Sequence, residues 1–150
     1  MPSTRDLDSG FRDAAQAIFD VAKELDRGFR ITSSRRTRAD QQRLWNNYVS
    51  GQSDLPAAPP GKSKHEMGLA VDIARPDVDP FEDEYLQRLG EIWKEAGGIW
   101  GGDFDDPVHF ESPDGPSDAP KVSQAQGLRQ SFVDRKAELR AVFDFFNPFS

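Results

Sequence analysis

Residues 63–74 read SKHEMGLAVDIA, and the second half of that stretch decides the kind of fold. On GLAVDIA, Leu69, Val71 and Ile73 alternate with Gly68, Ala70 and Asp72. Successive side chains of a strand point to opposite faces, so one face here is apolar and the other sets two very small residues beside a carboxylate. The first face belongs to a core. The second leaves room for something at Asp72. His65, one of only two histidines in the chain, precedes the strand on a loop able to fold back over that space.

Working outward, Phe11, Ala15, Ile18, Ala22 and Leu25 recur at spacings of four and three, which predicts an amphipathic helix. Asp8 or Ser9 can cap its start, and Gly28 lies just past its end. GFRITSS (28–34) alternates as a short half-buried strand. Thr37 with Asp40 resembles a capping box opening a second helix through Leu44, Trp45 and Tyr48, which stops near Gly51. Residues 51–63, with PAAPP at 56–60, read as a long loop, a kind of segment that is often functional. Asp79, Pro80 and Glu82 predict a capped helix reaching Ala96. IWGGDF and VHFE then read as two short strands joined by a tight turn.

Residues 112–120 are a turn-rich linker, and 121–146 predict a last helix carrying Phe132, Leu139, Phe143 and Phe146. That stripe is expected to dock on the core rather than on a partner. The chain therefore divides into a core at 1–111 and a linker and helix at 112–150 packing on the same single domain. The fold class is α+β, a small antiparallel sheet packed against helices, because the last strands form a hairpin instead of a parallel crossover.

Composition narrows the chemistry. The 150 residues contain no cysteine, which removes disulfides, thiolate metal sites and thiol nucleophiles, so any metal must be held by His, Asp or Glu. A net charge of −7 argues against a nucleic-acid-binding surface. No apolar run approaches the roughly 20 residues of a spanning helix, and MPSTRDLDSG has no apolar core of a secretory signal. We expect a monomer without membrane insertion, synthesised in the cytoplasm.

The second histidine, His109, lies between Val108 and Phe110 and so points away from both on a strand with one apolar face. Two histidines and an aspartate converging would leave an open fourth position, as in catalytic zinc sites. A packed or surface histidine is the commoner case, and His-x6-Asp alone is a weak signal. A carboxylate beside such a site can serve as general base and then acid. Asp106 stands three residues before His109, and Pro107 makes a bend there that can bring both to one side. Asp103, Asp105 and Asp106 can equally form a solvated acidic turn, and composition does not choose among the three.

Three separated motifs resemble one family. SKHEMGLAVD fits the S-x-H-x-x-G-x-A-x-D signature of the zinc D-alanyl-D-alanine carboxypeptidases and L-alanyl-D-glutamate endopeptidases, the LAS metallopeptidases. WGGDFDDPVHFE (100–111) resembles their second motif, and TSSRRTRADQ (32–41) their third. The resemblance covers roughly residues 8 to 111 and implies a hedgehog/D,D-peptidase-like fold acting on peptidoglycan stem peptides. It implies Zn2+ held by His65, Asp72 and His109, and Asp106 as the catalytic acid/base. It places Arg36, not Arg35, on the arginine that contacts substrate or the developing oxyanion. Arg35 and Arg38 are read as solvated charges. Ser63 is read as loop-fixing or substrate-proximal, Glu111 as a partner behind the ligands, and Gln41 as structural. Only Phe104 and Asp105 separate WGGD from Asp106, fewer residues than many such endopeptidases have, which bears on the shape of the cleft.

Aspartate at the acid position resembles the L-alanyl-D-glutamate endopeptidases, phage endolysins among them, whereas the D,D-carboxypeptidases more often place glutamate there. The expected function is thus stem-peptide endopeptidase, acting on the cell wall after release. D-alanyl-D-alanine carboxypeptidase is the alternative within the family. A non-catalytic, zinc-stabilised binding or phage structural module is the alternative outside it.

Overall fold

The structure, a computed structural model, describes residues 1–113. Of the linker and helix expected at 112–150, all but residues 112 and 113 lie outside the described residues. After a short 3-10 turn at Thr4–Asp6, the order is α1 (Ser9–Leu25), β1 (Arg30–Ser33), α2 (Arg38–Val49), β2 (Ala70–Ala74), α3 (Glu84–Glu95), β3 (Ile99–Trp100) and β4 (His109–Glu111). The strands form one sheet in the order β1-β2-β4-β3, with every neighbouring pair antiparallel. This is the α+β class expected. No helix among the described residues is long and apolar enough to cross a membrane.

One face of the sheet is the core. Val71, Ile73 and Phe110 are fully buried against α1 and α3, whose inner faces supply Phe11, Ile18, Leu86, Leu89 and Trp93. Trp93 sits edge-on to Phe11 and Phe110, with ring centroids 5.8 and 6.1 Å away. Its indole N–H donates to the carbonyls of Ile99 and Glu111. Burying each such side chain stabilises the fold by about 1.5–3 kcal/mol, so this face holds the sheet in place.

Local signals explain the elements, with three departures. Asp8 caps α1, its carboxylate accepting from the Gly10 N–H, and Thr37 Oγ1 caps α2 by accepting from the Asp40 N–H. Asp40 does not complete a capping box; it pairs instead with Arg43. First, α2 buries only Gln41, although Leu44, Trp45 and Tyr48 have helical spacing, because α1 and α3 already fill the apolar face of the sheet. Second, the helix expected from Asp79 is split. Asp79 caps a 3-10 turn at Pro80–Glu82, and Asp83 then caps α3 by accepting from the Tyr85 and Leu86 N–H groups. Third, β3 and β4 pair as expected, but residues 101–108 between them hold a 3-10 turn at Gly101–Phe104 rather than a tight turn.

Arg75 explains why the chain breaks at Asp83. Its guanidinium grips the Asp83 carboxylate with two bonds of 2.9 and 2.7 Å and reaches Asp26, past the end of α1, at 3.0 Å. It also lies over the Phe29 and Tyr85 rings. Asp83 is only 1% exposed, so removing its partner strands a buried charge. Arg75→Met is expected to cost about 3 kcal/mol in denaturant unfolding of the metal-free protein. A loss below about 1 kcal/mol would mean this ion pair does not hold the two helices.

Candidate metal centre

Strand register builds the site. Asp72 on β2 stands directly opposite His109 on β4, and Ala70 opposite Glu111, so Asp72, His109 and Glu111 share the face away from the core. Ala70 leaves that face low. His65 comes from the turn before β2, where its own N–H donates to Ser63 Oγ and its carbonyl accepts from the Arg36 N–H. Gly68 closes this turn at φ +71°, and a Cβ there would meet the Asp8 nitrogen at 2.8 Å and the Arg35 guanidinium at 2.6 Å. Only glycine fits both constraints.

The three side chains converge. His65 Nε2 lies 3.0 Å from Asp72 Oδ1 and 3.2 Å from His109 Nδ1, and His109 Nδ1 lies 3.4 Å from Asp72 Oδ1. All three residues are buried. Each imidazole is fixed from behind. His65 Nδ1 is 2.8 Å from the Ser34 carbonyl, which can only accept, so Nδ1 carries the proton and Nε2 turns its lone pair inward. His109 Nε2 is 2.9 Å from Glu111 Oε1, which leaves Nδ1 facing the cluster.

Two nitrogen lone pairs and a carboxylate oxygen thus meet around one point, an arrangement that needs a positive centre. Tetrahedral zinc with bonds of about 2.0–2.1 Å sets its ligand atoms about 3.3 Å apart, which matches these separations. The residues fit a divalent metal of this kind. Among the described residues no other group of His, Asp and Glu converges in this way.

Without metal, a proton takes that role. Burial opposes ionisation of Asp72, but its interactions with His65 and His109 prevail and hold its carboxyl well below the usual range. Burial likewise opposes the His109 imidazolium, yet hydrogen bonds to Asp72 and Glu111 push it up to about 9. Below that pH a metal must displace the proton from His109. Zinc affinity of the metal-free protein is therefore expected to rise with pH, by about tenfold per unit between roughly pH 6.5 and 8.5. Competition against a chelator of known affinity measures this, and a flat profile would contradict it.

Asp106 completes the site from outside the strand. Its N–H donates to the Gly101 carbonyl and its carbonyl accepts from the His109 N–H, across a left-handed residue at Asp105 (φ 64°). This turn, together with Pro107, supplies the bend expected from the sequence. Asp106 Oδ2 comes to 4.0 Å from His109 Nδ1. Burial first, and then the Asp72 charge, push the Asp106 carboxyl up to about 7, against the pull of His109 and Arg36. Asp103 instead pairs with Lys94 on the surface.

The cluster opens into a cleft of about 280 Å³ lined by Arg36, Gln41, Pro56–Ala58, Lys62–His65, Phe104, Asp106, His109 and Glu111. Part of the 51–63 loop forms one wall. Arg36 lines it but is largely committed inward. Its guanidinium donates to Asp72 Oδ2 at 2.8 Å, Ser33 Oγ at 2.8 Å and Gln41 Oε1 at 3.2 Å. Gln41, fully buried, also donates to the Ala58 carbonyl and so ties α2 to the cleft wall. Ser63 fixes the loop through the His65 N–H. Arg38 is solvated as expected, its side chain 77% exposed. Arg35 is exposed as well, but its guanidinium also donates to three backbone carbonyls. The sequence did not point to the Ser34 carbonyl, because no side-chain signal marks a backbone acceptor.

Residues 4–97 match the model of the VanY D-alanyl-D-alanine carboxypeptidase family. The chain belongs to that family. It is a peptidase by descent, of a family that acts on peptidoglycan peptides. The VanY match contains Arg36, His65 and Asp72 and ends before Asp106 and His109, which join the site through the sheet register.

Solved structures share the VanY-type fold. That of the LdcB LD-carboxypeptidase, described for its peptidoglycan recognition, is 23% identical with a TM-score of 0.52, over 89% of this chain and 71% of that one. The vancomycin-resistance D,D-dipeptidase VanXYg, bound to a D-Ala-D-Ala phosphinate analogue, is 19% identical with a TM-score of 0.51, over 85% of this chain and 58% of that one. The L,D-carboxypeptidase DacB from Streptococcus pneumoniae is 22% identical with a TM-score of 0.50, over 86% and 76%. At these identities the likeness is one of fold. No curated protein sequence matches the chain.

Proposed function

We propose that the protein is a zinc-dependent peptidoglycan peptidase that cleaves a stem-peptide bond, with His65, Asp72 and His109 as metal ligands and Asp106 as acid/base. The observation that carries this reading is the placement of the Asp106 carboxylate, 4.0 Å from His109 Nδ1, at the edge of a converging His-Asp-His cluster beside an open cleft. A bound zinc supplies Lewis acidity, polarising a carbonyl and lowering the pKa of a coordinated water to about 7. Asp106 Oδ2 takes a proton from the water that attacks the scissile carbonyl and returns it to the departing amine nitrogen. Arg36 holds Asp72 Oδ2, fixing which oxygen faces the cluster, while the remaining donors of its guanidinium are available to a substrate oxygen. Ser63 keeps His65 in place and forms part of the substrate-facing wall.

The bond we favour is L-alanyl-D-glutamate, in the manner of an endolysin acting on the wall after release. Aspartate at position 106 supports the endopeptidase, since the D,D-carboxypeptidases that the sequence resembles more often place glutamate there. The family match supports the second reading, a D-alanine carboxypeptidase. Mass spectrometry of a defined muropeptide digested by the zinc-loaded protein separates the two. Release of the peptide from L-alanine is expected, and loss of a terminal D-alanine alone would replace the first reading with the second.

A further inference from the structure

The turn that carries His65 rests on the N-terminal segment, and one side chain joins them. Arg35 Nε donates to the Asp6 carbonyl at 2.7 Å, while its two terminal nitrogens reach the Glu66 and Met67 carbonyls, each at 3.4 Å. The same three segments meet at further points. The Asp8 N–H donates to the Gly68 carbonyl at 2.9 Å, Ser34 Oγ donates to Asp6 Oδ2 at 3.1 Å, and the Ser34 carbonyl orients the His65 ring at 2.8 Å. Gly68 packs so closely on Arg35 that any side chain there would displace the guanidinium. The stretch from Asp6 to Asp8 therefore forms a floor under the 65–68 turn, with Arg35 as the fork that pins the turn to it.

We propose that Arg35 is a positioning residue for the metal ligand His65, acting against the N-terminal segment as an anchor. This rests on the metal-site reading above. The physical reason is rotational. The Ser34 carbonyl fixes the plane of the imidazole only if the 65–68 turn keeps its height above Ser34. Nothing in the turn's own hydrogen bonds sets that height, since these run within residues 63–69. Contacts from outside set it: the Arg36 N–H on the His65 carbonyl, the Asp8 N–H on the Gly68 carbonyl, and Arg35, whose side chain alone reaches two carbonyls of the turn at once.

The test is zinc affinity of the full chain by chelator competition, with the d–d spectrum of the cobalt-substituted protein as a readout of ligand geometry. Arg35→Met is expected to weaken zinc by about tenfold or more and to alter the cobalt spectrum, as losses behind a ligand do. Arg35→Lys, which keeps charge and stem but loses the fork, should fall between it and wild type and covers the case in which Arg35→Met does not fold. Arg43→Met, on an exposed arginine that pairs with Asp40 on its own helix, should change neither readout. Affinity within about twofold of wild type and an unchanged spectrum in the Arg35 variants would overturn the proposal. Wild-type protein that binds no zinc would instead overturn the metal site itself, and this proposal with it.

Discussion

Asp106→Asn is expected to bind zinc with wild-type stoichiometry and to lose about 10²–10⁴-fold in hydrolytic rate. The carboxylate is no part of the converging triad, its nearer oxygen standing 4.0 Å from His109 Nδ1, so the substitution removes a proton carrier and no ligand. The amide is nearly isosteric and needs no repacking of the turn at Asp105. It also deletes a negative charge close to Asp72, which is one reason the Asp106 carboxyl stands at about 7. A carboxyl so placed exchanges a proton readily near neutral pH, and a divalent cation in the cluster draws its pKa down from there. Steady-state hydrolysis of a defined muropeptide, with zinc content measured on the same samples, checks both halves. Near wild-type turnover would remove Asp106 from the mechanism.

His109→Ala is expected to weaken zinc binding by more than roughly a hundredfold and to abolish hydrolysis with it. The variant deletes one of three inward-facing ligand atoms and leaves Glu111 without the imidazole it orients. The fold should survive, because His109 points away from the core that Phe110 and Val71 build on the other face of the sheet. Far-ultraviolet circular dichroism of the metal-free variant should therefore resemble wild type, while equilibrium dialysis shows zinc lost. Full zinc occupancy in this variant would sink the ligand assignment.

Much of this site was legible because it is built on strand parity. The alternation of GLAVDIA fixed which side of β2 carries Asp72, and His109 between Val108 and Phe110 fixed the matching side of β4. Pairing the two strands in antiparallel register then places the carboxylate and the imidazole opposite each other. The loop containing Pro56–Ala58 was legible as a loop, and as a cleft wall only once the fold was in place. What stayed hidden depends on competition between distant segments. Spacing gave α2 an apolar face at Leu44, Trp45 and Tyr48, but only the packing of α1 and α3 decides that this face stays outside the core. Asp79 and Asp83 both have cap chemistry, and the grip of Arg75 on Asp83 decides where α3 begins. Arg35 reads as one charge in an arginine-rich run until its three carbonyl partners, each some thirty residues away, are brought beside it.

The central claim is that His65, Asp72 and His109 hold one metal ion between them. An anomalous difference map from crystals of the zinc-loaded protein, collected at the zinc edge, tests it directly. One strong peak is predicted at about 2.0–2.2 Å from His65 Nε2, His109 Nδ1 and Asp72 Oδ1 together. Stoichiometric zinc with its peak elsewhere, or no peak within reach of these three atoms, would contradict the account.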